Sequence, residues 1–314
     1  MDSFSKARFL AYGKWDYTVN KSLYRNAAIV ILVLFTGTTL LTFLCNQSFA
    51  TIGIESKVFN TYQSIGWLHN IAQWSVAIMS GYLFHNMVAK NTRIMELTLP
   101  ATVKEKFWWH VAVNIGGTLA VCIVGIILSD IIQMLLTLIL NGADSVTTIF
   151  STFFTTDISP YMQEYNLNMR FESNGFNDSD NAIAFTEAFS DLMQKTLYFA
   201  WVFQIITIAF HSGLFSYVNS RKYRHNIPLT IVILIGIGVV ILVLVVIAIL
   251  IMSVYISTNT SEFEANLGSL EFATNLLTRI ITWVYVIYSA ELILSVVLWA
   301  GTYRNYKKAS LLNK

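Results

Sequence analysis

The chain has 314 residues, 55% apolar and only 12% charged, with a mean hydropathy of +0.58 and a net charge of +2. A soluble domain carries about a quarter charged residues, so this composition excludes an ordinary cytosolic globule. The small net charge, without a long basic run or aromatic-basic stripe, gives no footing for nucleic acid as a partner.

In chain order, residues 1–26 read as a cytoplasmic interfacial helix. They do not read as a cleavable leader, because the apolar run that comes next exceeds a signal peptide's core. Phe4, Ala7, Ala11, Trp15 and Val19 share one helical face, interrupted by Arg8, with Lys6, Asp16 and Asn20 opposite. That pattern predicts a helix lying on the inner membrane surface. Six apolar runs then qualify as spans: Ala27–Cys45, Gly66–Val88, Val111–Leu140, Thr196–Val218, Pro228–Ile256 and Thr278–Ala300. The fifth runs 29 residues without a charged side chain; ~20 already cross the ~30 Å hydrocarbon core. Only a helix closes its own backbone hydrogen bonds there. The third outlasts one crossing, which puts Asp130 at the outer headgroups. Spans two (Asn70, Gln73, His85) and four (Gln204, His211) are the more polar, which predicts that they face protein.

Charge sets the orientation. Sixteen of the 20 Lys and Arg residues fall in the N-terminal segment, the connections after spans two and four, and the tail. The opposite side holds only Lys57, Arg170, Lys195 and Arg279. The basic side is cytoplasmic by the positive-inside rule. Trp15, Trp67, Trp108, Trp109, Trp299 and Tyr303 crowd the expected interfaces. The expected fold is all-α: a polytopic protein of the cell (inner) membrane with six transmembrane helices and both termini cytoplasmic. Its segments are the interfacial helix 1–26, spans one to three in 27–140 with a cytoplasmic elbow at 89–108, an acidic extracytoplasmic loop at 141–195, spans four to six in 196–300, and a tail at 301–314. Within the loop, 144–181 reads as a folded cap. Cys45 and Cys122 lie in apolar runs and read as buried free thiols.

Catalytic signatures are missing. Gly13-Lys14 lacks the rest of a phosphate-cradling loop, no His pair sits at i,i+4 with an acid, and no G-x-S-x-G elbow occurs. The expectation is a non-enzyme with no cofactor and no metal site.

Three features carry functional readings. In the elbow, Pro100 stops the preceding helix, and Thr102 precedes Glu105 by three, a capping box that starts the next. This is either a capped start to span three or a knob for a cytoplasmic partner. Glu291 lies midway along span six, where a lone carboxylate costs ~2.5–3.5 kcal/mol. His211, His85, Tyr285 and Ser289 are its candidate partners, and its readings are helix packing, a polar point on a solute path, or a proton relay. Ala112, Gly116 and Ala120 form a small-residue stripe at spacing four, suited to close helix packing within the subunit or across a dimer seam.

The segment Leu99-Pro100-Ala101-Thr102-x-x-Glu105-Lys106-Phe107 resembles the stretch between spans two and three of type-2 ATP-binding-cassette exporter permeases. The N-terminal segment and the six-span topology resemble that family too. It differs in one respect, since the largest outer loop here joins spans three and four. The resemblance implies that Leu99–Phe107 docks a separate cytoplasmic ATPase subunit. It also implies that two permease subunits pair as a homo- or heterodimer in the lipid bilayer. The expected function is thus the membrane subunit of an ATP-driven transporter, an exporter by the resemblance. Its rivals are a membrane scaffold or sensor with an acidic outer domain and an ion-coupled carrier using Glu291.

Overall fold

The computed structural model describes residues 4–51, 61–142, 148, 202–220, 232–233, 235–236 and 270–311. Regular structure among them is entirely helical, with no strand. In order, α1 is Lys6–Thr51, α2 Thr61–Gly81, and a 3-10 turn at Tyr82–Phe84 leads into α3, His85–Val88. The elbow holds α4, Lys90–Thr98, and α5, Val103–Val111; a π-helical turn, Ala112–Gly117, joins α5 to α6, Thr118–Asn141. Then come α7, Val202–Ser220, and α8, Leu270–Leu311.

Among the described residues, four helical stretches are long and apolar enough to cross a membrane: Lys6–Asn46, Val103–Leu140, Val202–Ser220 and Thr282–Ala309. At most a third of each one's most apolar window is buried. Large apolar side chains such as Val33, Leu41, Ile123, Ile139, Ile293 and Val296 point outward instead, as a bilayer permits and water does not. These are the helices of a membrane-embedded protein. They cover expected spans one, three, four and six. The helix α2, which overlaps expected span two, is not among the four; His69, Asn70, Gln73 and Ser75 dilute its apolar run and the 3-10 turn ends it. Expected span five and the outer loop 141–195 lie almost wholly outside the described residues.

Two compact units divide the chain, 1–155 with 207–227 and 293–314, and 156–206 with 228–292. In the first, Ile31, Phe35 and Phe43 of α1 pack with Leu68 and Ala72 of α2 and Cys122 of α6. The α1–α6 crossing is close: a Cβ on Gly125 would stand 2.8 Å from the Phe35 ring. The helix α6 ends where Gly142 adopts φ +87°, a conformation that suits glycine. Hydroxyls stitch α7 to α2: Ser80 donates to the Ser212 carbonyl (2.8 Å), and Ser216 donates back to the Ser80 carbonyl (3.1 Å). In the second unit, Phe203 stacks on Tyr288 at 4.1 Å between ring centroids.

Two local expectations change. No break separates an interfacial helix from span one; α1 is continuous for 46 residues. Its polar side is also the buried one, since Tyr12 and Asp16 face α5, Asn20 faces Asn86 of α3, and Arg8 turns to Glu105. Cys122 is buried as expected, whereas Cys45 is exposed on the outward side of α1.

Candidate functional site

The elbow is built as its sequence dictates. Pro100 disfavours helical backbone in the residue before it, so α4 stops at Thr98 and Leu99 is extended (φ −66°, ψ 139°). Thr102 then caps α5: its hydroxyl accepts from the Glu105 amide (3.3 Å), and Glu105 Oε2 accepts from the Thr102 amide (2.7 Å). The other oxygen of Glu105 accepts from the Ser5 amide (2.6 Å) and from Arg8 Nη2 (3.1 Å). One carboxylate thus sits at the amino ends of both α5 and α1, where helix dipoles favour negative charge.

Behind this lies a buried polar knot. Glu96 Oε1 accepts from the Tyr306 hydroxyl of α8 (2.6 Å) and lies 3.3 Å from His110 Nε2, which is 2.8 Å from the Tyr12 hydroxyl. Lys106 Nζ donates to the Glu96 carbonyl, one of the last four of α4, and lies 5.9 Å from the centre of the Tyr12 ring. That carbonyl would otherwise lack a helical partner. Asp16 accepts four bonds: from Asn20 and Asn86 at 2.8 Å each, from Tyr24 at 2.7 Å and from Trp109 at 2.9 Å. Leu83, Phe84, Met87, Phe107 and Ala309 wall the knot with apolar surface. Burial by itself would raise the Glu96 carboxyl. The charge and contact of His110, the Tyr306 hydrogen bond and the Lys106 ammonium outweigh it and hold that group below the ordinary carboxylate range. Glu96 Oε2 and Asn114 Oδ1 are buried with no hydrogen-bond partner among the described residues.

The seven residues expected at a docking surface divide. Pro100 is exposed and Leu99, Ala101 and Thr102 are half-buried, but Glu105, Lys106 and Phe107 are buried inside the chain. What the elbow presents instead is α4. Ile94 and Met95 are 50% and 47% exposed on it, and Trp108 is 56% exposed at the start of span three. Comparison with family models, characterised proteins and solved structures finds no match. The site's meaning rests on its own geometry.

Other predicted residues are placed as follows. Glu291 lies half-buried in the second unit. His211, in the first, meets Gln73 (3.1 Å) and the Thr207 carbonyl (2.9 Å), while His85 is half-buried on α3. Ala112, Gly116 and Ala120 are all exposed, and nothing stands within 4 Å of a Cβ built on Gly116. At Gly116, therefore, no neighbouring helix is packed against the stripe among the described residues. The π turn begins at Ala112 and ends one residue after Gly116, so the stripe does not follow one regular α-helical face. Among the described residues, no cluster of three His, Cys, Asp or Glu side chains could hold a metal.

Sequence reading missed the knot and the serine seam. The seam left a trace, Ser212, Ser216 and Ser220 at spacing four. The knot left almost none, because Tyr12, Asp16, Glu96, His110 and Tyr306 come from four separate segments.

Proposed function

We propose that this chain is the membrane subunit of an ATP-driven transporter, with α4 and the Leu99–Pro100 turn as the knob that docks a cytoplasmic ATPase. One observation carries the reading. An exposed apolar tip, Ile94 and Met95, stands on a nine-residue helix whose inner side is tied through Glu96 to His110 and Lys106 of α5 and to Tyr306 of α8, and through His110 to Tyr12 of α1. A load on the tip therefore reaches three helices at once through buried, charge-assisted contacts. Length supports the placement. Asp16–Asn46 and Trp109–Leu140 each run ~45 Å at ~1.5 Å per residue, about the thickness of a bilayer with its headgroups. The knot then lies at one membrane boundary, and the positive-inside rule makes that side cytoplasmic. Two such subunits pair across the membrane, and closure of the ATPases tilts the helices through the knob. Six spans and an exporting direction belong to the same proposal.

Purification of the tagged, intact chain from its own membranes tests it. An ATPase with a phosphate-binding loop should accompany the wild type, and Ile94→Asp should release it while the chain stays folded. If the wild type brings down no ATPase, the reading fails.

A further inference from the structure

We infer that the socket receiving α4 is an apolar groove rimmed by carboxylates. The inference rests on the docking reading above and specifies the partner's chemistry.

The elbow contains two acids and both are spent internally: Glu105 on two helix starts and Arg8, Glu96 on His110 and Tyr306. The third described acid at this end, Asp16, is equally buried and accepts four hydrogen bonds. Of the elbow's four bases only Lys106 is buried, on the Glu96 carbonyl; the others reach the surface. Lys90 and Lys104 are exposed on either side of the Ile94–Met95 tip in sequence, and Arg93 is half-buried beside it. The knob therefore presents apolar side chains in a field of one sign, and an acidic rim complements that. A membrane surface of anionic lipid shares the charge logic but fits less well. Two half-exposed apolar side chains on a helix already pinned to the protein add little to lipid anchoring. A rigid, pre-ordered tip loses little entropy on entering a socket.

The test uses the full chain in nanodiscs with the ATPase that co-purifies with it. Reversing the rim, Lys90→Glu with Lys104→Glu, should weaken ATPase binding tenfold or more at about 50 mM salt. That difference should shrink to about twofold at about 500 mM, where screening is strong. Lys90→Arg with Lys104→Arg should bind as the wild type does. A polarity-sensitive label on Met95→Cys should report an apolar setting only after the ATPase is added. An ATPase that binds the wild type and the charge-reversed chain equally at both salts overturns the acidic rim alone. Quenching of the label by lipid-borne quencher before the ATPase is added overturns it too, in favour of the membrane surface. A chain that brings down no ATPase overturns this inference together with the transporter reading.

Discussion

Asp16 and Glu96 are both buried carboxylates, yet their surroundings differ. Asp16 accepts four hydrogen bonds, whereas one oxygen of Glu96 has no partner among the described residues and the other faces His110 and Tyr306. Removing one partner of a buried charged pair strands the other, at ~3–5 kcal/mol. Glu96→Gln should therefore destabilise the detergent-solubilised protein by about 3 kcal/mol, measured as a fall in its unfolding midpoint. The pH dependence has a definite direction. Because the folded carboxyl is held below its ordinary value, its contribution is intact above the unfolded pKa, ~4.3–4.5. It disappears as pH falls through the lower, folded value. Between pH 7 and about 5 this group should cost the wild type nothing. Below about pH 4 the wild type should lose stability that the Gln variant no longer has to lose. Identical acid melting curves for the two proteins would count against the knot.

At the scale of elements, the candidate span Val103–Leu140 is a composite: a capped α5, a π turn and a long α6. The π turn adds backbone to a turn and re-aims α6 relative to α5, and such turns cluster at functional sites. Two glycines of this composite should behave oppositely. Gly125→Ala places a methyl 2.8 Å from the Phe35 ring at the α1–α6 crossing and should cost ~1–3 kcal/mol. Gly116→Ala meets nothing within 4 Å and should be neutral or stabilising by up to ~1 kcal/mol. Thermal unfolding of both variants in one detergent makes the comparison. If Gly116→Leu leaves melting unchanged but splits a native dimer on size-exclusion chromatography, the small-residue stripe is the seam between subunits.

Over the whole molecule, the proposed six-span arrangement predicts which loops face which solvent. A chain with Cys45→Ala and Cys122→Ala, given one new cysteine at a time, is suited to labelling from outside intact cells. An impermeant thiol reagent should reach a cysteine beside Asp178 and should miss one beside Pro100. The reverse pattern would invert the protein and put α4 out of reach of any cytoplasmic ATPase. The same scale explains why so few acids are visible at the surface of the elbow. A chain with 18 acids and 20 bases in 314 residues uses Asp16, Glu96 and Glu105 to join the helices of the elbow through buried hydrogen bonds.

Local chemistry was legible without coordinates. Apolar run lengths marked the four long apolar helices because a bilayer demands ~20 residues, and the break before Pro100 and the Thr102–Glu105 cap came from backbone rules confined to a few neighbours. Tertiary structure alone decided which side of each polar helix is inside. Asp16, Asn20, Glu105 and Phe107 read as surface or docking residues by spacing, and they are buried because partners 66 to 199 positions away fold against them. Pairing across such distances leaves no period in the sequence, so only the assembled chain shows that Ile94 and Met95, not Glu105–Phe107, meet the outside.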